Sequence, residues 1–550
     1  MIARLLGVVV AFVGGATGVA QQGEMTVRLR SLAPFVTPWL QVPGETYTAM
    51  PGDAAIDMPQ GLDTMSEPNA PDWLVELLRQ RHHEAIDAGR LAILNTNAAG
   101  DEGVAICELV LRGRAADVDA CDRELDAIAA AMGRPIEITA FRLPLGEGVL
   151  PATTWDAATL QKALKDRPPL WTAHGRTRSG GALRLAQERG IGILRDLDTE
   201  VAGGTHISDP KVDTAFAGLR ATLVVDAMPG DELVLRGSWL LSEPIALHEQ
   251  SAGDCGLIDL PDHRNAWVTF AGRVPSGGAL VVAGRGGPVG PEGFLLVLGA
   301  RFLAPPPTDV APDLLVRPIG ALLAGRAVWP RLGYPVPGDD SPSFGIAPCN
   351  GGLSANGLID VLAMPPGAVE LAGSVLVLHG DAEASARADA LLRALFANLT
   401  PATLRSRITA EGGSPLELVQ PLLAGRSAAA FVGRERSVIR DQEVEISGSI
   451  SGSNPVVGIV RSGLWLGAIA SRGGAGWHMT GSWSIAAYDE PRVREHSEKP
   501  RMILHLVDYR TTTLPWDAPM PLHHEHQLGD GPAWRAGGVA TRVSVQLAAP

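Results

Sequence analysis

Apolar residues recur at three- and four-residue steps in residues 73–88 and 117–132. That spacing places them on one side of a helix, so the pattern predicts two amphipathic helices. Shorter stretches rich in β-favouring residues predict strands at 26–32, 91–95, 103–112 and 136–143. The order of these elements predicts a small α+β module of βαββαβ type, with both helices on one face of a sheet.

The region that follows predicts mostly antiparallel β-structure. Residues 219–226 and 232–240 flank the hairpin signal Pro229-Gly230-Asp231, and a later hairpin turns at Gly473-Gly474. In the strand after that turn, polar residues alternate with one apolar side formed by Trp477, Met479, Gly481, Trp483 and Ile485. Such a strand suits a transmembrane β-barrel, which needs about 9–11 residues per strand. It also suits a soluble sandwich, which is the commoner structure.

The chain contains two similar stretches in the same order, which predicts a tandem duplication. At offsets of 244 or 245 residues, short matches recur as follows: Leu194-Arg195-Asp196 with Ile439-Arg440-Asp441, Glu200 with Glu445, Pro210 with Pro455, Gly218-Leu219 with Gly463-Leu464, and Gly237-Ser238-Trp239 with Gly481-Ser482-Trp483. Upstream, at an offset of 267, the matches are Gly113 with Gly380, Cys121 with Ala388, Leu125 with Leu392, and Ile128 with Leu395. Near the start, Val27-Arg28 echoes Val316-Arg317.

These repeats divide the chain into six predicted segments. They are a signal peptide at 1–20, a ring-building-like α+β module at 21–145, a β domain at 146–303, a proline-rich linker at 304–313, a second α+β module at 314–406 and a second β domain at 407–550. The linker contains three consecutive prolines, which favour a stiff, extended chain.

The first residues predict export. Arg4 precedes an apolar run, and Gly18-Val19-Ala20 offers small residues for cleavage after Ala20. An uncleaved membrane anchor is the alternative. No later stretch reaches about 18 uninterrupted apolar residues.

The formal net charge of −14 disfavours nucleic acid as a partner. Abundant glycine and proline, with 5% aromatic residues, favour short strands and turns.

The four cysteines, Cys107, Cys121, Cys255 and Cys349, form no CxxC pair, so a zinc site is disfavoured. In an exported protein, Cys107 on a strand and Cys121 on the following helix could form a disulfide. The alternative is that both are small core residues, which is the commoner role of such cysteines.

Three stretches resemble the C-terminal domain of the secretins, which are ring-forming outer-membrane channels of type II and type III secretion and of type IV pilus systems. The first is Val438 to Ile446, followed by Asn454-Pro455-Val456-Val457-Gly458 and Gly463; it is similar to a D-x-[DE]-V-E strand, a D-P-x-V-G turn and a following glycine. The second, Val274-Pro275-Ser276-Gly277-Gly278, looks like the family's V-P-D-G-G segment. The third, Phe294 to Arg301, stands where its closing strand ends in T-P-R.

Each half keeps a different subset of these motifs. The second half has Leu514-Pro515-Trp516-Asp517 where the V-P-x-G-G segment is expected, and its closing strand at 543–547 lacks the T-P-R ending. The first half has Ala300-Arg301 in place of P-R. The α+β parts resemble the periplasmic ring-building modules that precede the secretin domain.

The resemblance implies a multimeric outer-membrane channel for protein secretion, or a component of one, located in the outer membrane or periplasm. Its partners would be further copies in a homo-oligomeric ring and secretion-system components. A tandem chain could supply two ring positions or stack two layers. One alternative is a soluble periplasmic or surface scaffold that has the fold but no pore. Another is an envelope metal-binding protein, which would rest only on the histidine cluster described below. The motif residues would shape turns and strands: Val274, Pro275, Gly277, Gly278, Pro210, Gly218, Pro455 and Gly463.

Chemical function has little support in the residues. His523, His524 and His526 form the densest histidine cluster and are candidate metal ligands, but their spacing is not HExxH and flanking prolines favour a solvated loop. A smaller cluster is His82-His83-Glu84. No G-x-S-x-G elbow or catalytic triad is evident, and the glycine runs lack the context of phosphate loops. We therefore expect no catalytic residue, no cofactor and no enzymatic activity.

Overall fold

A computed structural model gives the fold of the protein. It describes residues 25–31, 72–99, 105–132, 134–202, 205–251, 257–286, 292–305, 314–323, 326–329, 345–348, 353–364, 368–372, 375–380, 382–410, 415–447, 450–474, 476–488, 492–495, 503–506, 509–530 and 541–550. Among these residues, one compact unit contains 25–31 and 72–129, and a second contains everything from residue 130 onward.

The smaller unit is a three-stranded antiparallel sheet with helices. Its elements are β1 (Met25–Ser31), α1 (Asp72–Arg81), α2 (His83–Asp87), β2 (Leu91–Ala99), β3 (Ala105–Arg114) and α3 (Ala115–Met132). The strand order is β1-β3-β2. The predicted strands and helices of this module are confirmed, except that the helix at 73–88 is interrupted at His82. Its core is formed by Leu74, Leu77, Leu78, Leu109, Leu111, Val118, Cys121, Leu125 and Ile128.

The larger unit begins with the first half's β region. Its elements are β4 (Ile136–Leu143), β5 (Thr154–Trp155), α4 (Ala157–Asp166), β6 (Trp171–Thr177), β7 (Gly181–Ala202), β8 (Thr205–Ala227), β9 (Glu232–Ser251), β10 (Leu257–Pro275), β11 (Ala279–Arg285) and β12 (Phe294–Phe302). The predicted closing strand of the α+β module is present as β4, but it pairs with β6 and β12 instead of with β1 to β3. The prediction of a βαββαβ module was therefore wrong in its last strand.

The second half begins with a similar small module. Its elements are β13 (Leu314–Pro318), a 3-10 turn at Gly320–Leu322, β14 (Arg326–Trp329), β15 (Gly345–Pro348), α5 (Ala355–Leu362), β16 (Val369–Ala372), β17 (Val375–His379) and α6 (Ala382–Ala397). The order β13-β17-β16 matches the order β1-β3-β2. Arg317 lies opposite Leu376, and Arg30 lies opposite Leu109, which is the equivalent residue at the offset of 267. Arg317 therefore corresponds to Arg30, and the predicted match of Val27-Arg28 with Val316-Arg317 was wrong by two residues.

The second half's β region completes the chain. Its elements are β18 (Pro401–Ala410), β19 (Leu416–Leu423), β20 (Ser427–Ser447), β21 (Ile450–Gly473), β22 (Gly476–Tyr488), β23 (Arg492–Glu495), β24 (Ile503–Leu506), β25 (Tyr509–Pro519), β26 (Glu525–Asp530) and β27 (Thr541–Ala548). Among the described helices, none is both long enough and apolar enough to cross a membrane.

The β regions of both halves share two antiparallel sheets. The long-stranded sheet has the order β25-β22-β21-β20-β10-β9-β8-β7, so each half contributes four adjacent strands to it. The nine-stranded sheet has the order β26-β27-β18-β19-β11-β12-β4-β6, with β5 paired to β11. The observed class is thus α+β with antiparallel sheets, as predicted.

The main core lies between these two sheets. It buries one face of the long strands against one face of the nine-stranded sheet. Trp477, Met479, Trp483 and Ile485 belong to this core, while His478 and Thr480 on the alternate side are exposed. The alternation predicted for this strand is confirmed, and its apolar side packs on a second sheet, as the sandwich interpretation expects.

Strand registers recur between the halves. In the pair β7–β8, Gly218 lies opposite Glu188, and a register shift occurs around Arg195. In the pair β20–β21, Gly463 lies opposite Gly433, and the shift occurs around Arg440, in each case 245 residues later. The same correspondence holds for Val268 opposite Trp239 and Leu514 opposite Trp483. Strand β7 thus corresponds to β20, β8 to β21, β9 to β22 and β10 to β25.

Candidate functional site: the polar face of the long-stranded sheet

The face of the long-stranded sheet that turns away from the main core carries polar and charged side chains. Strict alternation along each strand causes this, because every second residue of an antiparallel strand points to the same face. Its buried polar members are Arg220, Thr222, Asp226, Arg236, Ser238, Ser242, His263, Asn265, Glu435, Ser437 and Arg461. An aromatic patch lies among them, formed by Leu240, Trp267, Ala429, Phe431 and Trp465. We call this surface the polar face.

The most deeply buried ion pair on the polar face joins neighbouring strands of the first half. An Arg236 Nη2 donates to an Asp226 Oδ2 at 2.7 Å, and both side chains have 0% exposure. Removing two ions from water costs several kcal/mol per ion unless each retains its partner. These two positions therefore depend strongly on each other.

A second charged group crosses the border between the two halves. Arg461 Nε donates to Glu435 Oε1 at 2.5 Å, and Asn265 Nδ2 donates to Glu435 Oε2 at 2.7 Å. Burial raises the pKa of Glu435, and the opposing effects of the Arg461 guanidinium and the Asn265 amide do not cancel it. Burial likewise lowers the pKa of the nearby His263, against the attraction of Asp262. The polar face thus holds its charges in surroundings that disfavour ionisation.

The long-stranded sheet is curled. Strand β7 pairs with β8, and it also lies close to β10, β20 and β21, with which it does not pair. Near the hairpin tips, the backbone N–H of Leu194 donates to Asp259 Oδ2 at 2.8 Å. Leu194 also packs against a small apolar cluster of Ile258, Leu260 and Ile439. The tips of the first and last strands of the first half therefore meet.

The two halves join edge to edge in both sheets. Strand β10 pairs with β20 from Asp262 opposite Arg436 to Val268 opposite Ala430. Strand β11 pairs with β19. Side chains reinforce the first pairing, because Arg434 Nε donates to both Asp262 oxygens, at 2.7 and 2.9 Å. We call this border the internal junction.

The predicted motif glycines occupy demanding backbone positions. Gly218 has φ of 142° and Gly463 has φ of 136°. At each, a Cβ would strike the carbonyl oxygen of the adjacent strand, at Gln187 and Val432 respectively. Pro210 and Pro455 lie on β8 and β21, each a few residues beyond the register shift. At equivalent places in the two halves, the backbone therefore needs a residue without a Cβ, and Gly218 and Gly463 supply it.

The segment from Val274 to Gly278 forms a tight turn between β10 and β11. Gly277 has φ of 89°, and its N–H donates to the Ala300 carbonyl at 2.8 Å. The N–H of Gly278 donates to the carbonyl of Pro275 at 2.9 Å. Val274 is buried in the main core. These residues shape the chain, as the sequence predicted.

The second half has the same turn at Met520 to His524. His523 adopts φ of 66°, its N–H donates to the Leu547 carbonyl at 2.7 Å, and the N–H of His524 donates to the Pro521 carbonyl at 3.3 Å. Met520 lies in the main core, where Val274 lies in the first half. The expectation that Leu514 to Asp517 stands at this place was therefore wrong, because those residues lie within β25.

This turn contains two of the three candidate metal ligands. His523 and His524 are exposed turn residues, and His526 lies in β26 opposite Val545. In the part of the chain that the structure describes, no three side chains of metal-binding type are grouped. The smaller cluster serves helix packing, since His82 Nε2 lies 3.0 Å from Glu124 Oε2 and His83 Nδ1 lies 2.9 Å from the Gln80 carbonyl. The signal for this turn in the sequence is the offset of 246 residues between the halves, which takes Gly277 to His523.

Cys121 is a fully buried thiol on α3 that forms no disulfide with any described residue. Burial, helped by nearby Glu124 and Asp122, raises its pKa to about 12. The side chain of Cys107 lies outside the described residues, so a pairing of these two cysteines stays a prediction. The cleavage site at Ala20, most of the linker, Cys255 and Cys349 also lie outside the described residues.

No protein-family model matches the sequence, and no curated protein matches it. Solved structures similar to the chain include secretins. The secretin domain β-barrel of InvG from the Salmonella SPI-1 injectisome aligns with TM-score 0.25 and 12% identity, covering 52% of this chain and 90% of that chain. The V. cholerae type IV competence pilus secretin PilQ aligns with TM-score 0.20 and 10% identity, covering 42% and 83%.

Proposed function

We propose that this protein is an exported, secretin-like envelope protein that assembles into a homo-oligomer and forms a protein-secretion channel in the outer membrane, or a component of one. We propose further that it arose by tandem duplication and has no enzymatic activity. The observation that carries the channel is the long-stranded sheet itself, which has one apolar face and one face with polar and charged side chains. The duplication is supported by the recurrence of one four-strand unit, with the same register, the same register shift and a positive-φ glycine at the same place, side by side in this sheet.

The polar face would line the path of the secreted protein. An alternating strand places its charged residues on one surface, as a water-filled lumen requires. In the isolated chain the charges of Glu435 and Arg461 are buried, which is costly even for a pair. An assembly in which the sheet uncurls would let water reach them. The free energy thus recovered would favour the multimer.

A second candidate is a soluble periplasmic or surface scaffold without a pore. The outer face of the nine-stranded sheet favours it, because in the second half this face carries Arg405, Arg407, Gln546 and Arg542, with Arg407 and Arg542 exposed. An Arg or Lys in contact with lipid costs about 2–4 kcal/mol near the middle of a bilayer. A lipid contact at this face would therefore be unfavourable.

Fractionation, electron microscopy and conductance separate the two candidates. The full chain is expressed with its first residues intact, and membrane and soluble fractions are imaged and then added to planar lipid bilayers. The channel proposal expects rings in the membrane fraction and stepwise ion conductance. Soluble protein without conductance, as rings or as monomers, would overturn the channel and support the scaffold, whereas conductance from rings in the membrane fraction would overturn the scaffold.

A pair of variants tests the lining. Ser437→Lys adds a positive charge to the polar face, so the reversal potential in a salt gradient is expected to shift toward anion selectivity. Arg407→Gln removes a charge of the same sign from the opposite sheet, and no shift is expected. Equal shifts for both variants would contradict the assignment of the polar face as the lining.

A further inference from the structure

The internal junction has counterparts at the two outer edges of the chain. Among the described strands, β25 and β7 end the long-stranded sheet and have one partner each. By register, β25 corresponds to β10 and β7 corresponds to β20, the two strands that form the internal junction. The two edge strands of the sheet are therefore equivalent to the two strands that pair with each other at the internal junction.

We propose that a second copy of this chain docks head to tail by pairing its β7 with β25 of the first, in the register of the internal junction. This inference names the partner and contact surface of the multimer proposed above and rests on that proposal. Each chain would then supply two neighbouring ring positions, and a closed ring would contain twice as many four-strand units as chains.

The register follows from the offsets. At the internal junction Val268 lies opposite Ala430 and Asn265 opposite Gly433. Residues of β25 are found by adding 246 to their equivalents in β10, and residues of β7 by subtracting 245 from their equivalents in β20. The pairing of Val268 with Ala430 therefore places Leu514 of one chain opposite Leu185 of the next. The pairing of Asn265 with Gly433 likewise places Thr511 opposite Glu188.

The residues at these edges suit the pairing. The stretch Thr511-Thr512-Thr513 is β-branched, which favours strands, and the paired segment ends at Leu514, directly before Pro515. On the other edge, Ala186, Gln187 and Arg189 are exposed. An unpaired, exposed strand edge is a ready template for another chain.

The ion pair of the internal junction also has counterparts. Arg434 binds Asp262 there, and the position equivalent to Arg434 is Arg189, which forms no ion pair with any described residue. The position equivalent to Asp262 is residue 508, which lies outside the described residues but is an aspartate in the sequence. Two independent positions thus retain the charges that the internal junction uses.

The second sheet is consistent with the same contact. It crosses the internal junction through β11 and β19. The corresponding strands β26 and β6 form its two ends, and each has one partner among the described strands. Head-to-tail docking would therefore continue both sheets from chain to chain. Such a contact is heterologous, and it forms a ring when its rotation closes.

Cysteine cross-linking tests the register. In a chain whose native cysteines are replaced by serine, or by alanine at Cys121, the pair Ala186→Cys and Thr513→Cys is introduced and oxidised. Directly opposed residues have Cβ atoms about 4.5–5.5 Å apart, close enough for a disulfide after small adjustment. We expect a ladder of covalent multimers on non-reducing gels. Mixing the two single-cysteine chains is expected to stop the ladder at dimers.

The matched control shifts the register by two residues. The pair Ala186→Cys and Thr511→Cys keeps the same strands, and we expect at least tenfold less cross-linked product. Equal cross-linking in both registers, or none in the expected register, would overturn the inference.

Hydrogen exchange on the unaltered chain provides a second measurement that does not depend on cysteine variants. Peptides covering 183–190 and 509–514 should exchange at least tenfold more slowly at high protein concentration than after dilution, because their unpaired amides become bonded on docking. Unchanged exchange would count against the inference.

Cross-linking without conductance would retain the docking and reject the channel. Conductance without cross-linking in this register would retain the channel and reject the docking of β7 on β25.

Discussion

The two halves share their sheet geometry but differ at the ends of equivalent hairpins. In the first half, the hairpin end between β8 and β9 packs against the small module that opens the second half. In the second half, the turn at Gly473 and Gly474 is exposed. Three apolar residues of the first end are replaced by polar ones or glycine at the second: Met228 by Gly473, Val234 by His478 and Ala271 by Asp517.

This difference shows how one backbone meets two environments. Met228, Val234 and Ala271 share an apolar cluster with the 3-10 turn at Gly320–Leu322, and Arg426 Nη2 donates to the Ala321 carbonyl at 2.5 Å. At the second end, His478 Nδ1 lies 3.4 Å from Asp517 Oδ1, and both side chains face solvent. The apolar residues mark where a module docks, and the polar ones mark an end that stays open among the described residues.

The largest expected effect comes from the buried pair near the covered end. Asp226 and Arg236 correspond to Ser471 and Thr480, which are exposed. Arg236→Ala should lower the free energy of unfolding by about 3–5 kcal/mol, because Asp226 is left as a buried, unpaired charge. The double variant Asp226→Ser with Arg236→Thr copies the second half and removes both charges. We expect it to recover most of that loss in urea denaturation.

Arg301 provides the matched control for this prediction. It pairs with Glu137, but 61% of its side chain is exposed. Exposed pairs contribute little, so Arg301→Ala should change the free energy of unfolding by less than about 1 kcal/mol. If the double variant were as unstable as Arg236→Ala, the difference between the two hairpin ends would not be one of charge burial.

A smaller effect tests the equivalence of the halves. Gly218→Ala and Gly463→Ala should each cost about 2–3 kcal/mol, because each forces a Cβ onto a backbone carbonyl at a φ that other residues avoid. Gly474→Ala is the control, since an added Cβ there meets nothing within 4 Å. It should change stability by less than about 0.5 kcal/mol. Losses differing by more than about 1 kcal/mol between Gly218 and Gly463 would show that the two sites are not equivalent.

Local pattern predicted much of the fold. The helical stripe with Cys121, Leu125 and Ile128, and the alternation after Trp477, correctly gave the buried faces, because burial imposes the period of the element on the sequence. The internal matches aligned residues of β7 and β8 with residues of β20 and β21, and the structure gives these two strand pairs the same register. The place of β4 could not be predicted, because its apolar residues fit either sheet and only tertiary packing decides between them. The buried Arg236–Asp226 pair was missed, since its only signal is two opposite charges at diagonal positions on neighbouring strands, with Asp226 opposite Val234 and Arg236 opposite Val224.

The turn formed by Met520 to His524 was also missed, and its physical reason leads to the smallest prediction. In the first half, glycine supplies the positive φ at residue 277, whereas in the second half a histidine adopts it at 523. The hydrogen bond to the closing strand and the burial of Val274 or Met520 hold both turns in one conformation. A left-handed φ costs a residue with a Cβ roughly 1–2 kcal/mol. The packing of the sheets therefore determines the conformation of this turn, and only the first half has a glycine, the residue that favours a positive φ, at this position.

Exchanging the turn residues measures this cost. His523→Gly relieves the strain but gives the unfolded chain more freedom, worth about 0.4–1 kcal/mol, so a net gain of about 0.5–1 kcal/mol is expected in urea denaturation. Gly277→Ala should lose about 1 kcal/mol through strain alone, because its Cβ would meet the Ala157 Cβ at an ordinary 3.5 Å. His524→Gly, at an exposed position outside the left-handed region, should lose stability through the unfolded chain. A gain at 524 equal to that at 523 would mean that side-chain crowding, and not backbone strain, separates the two turns.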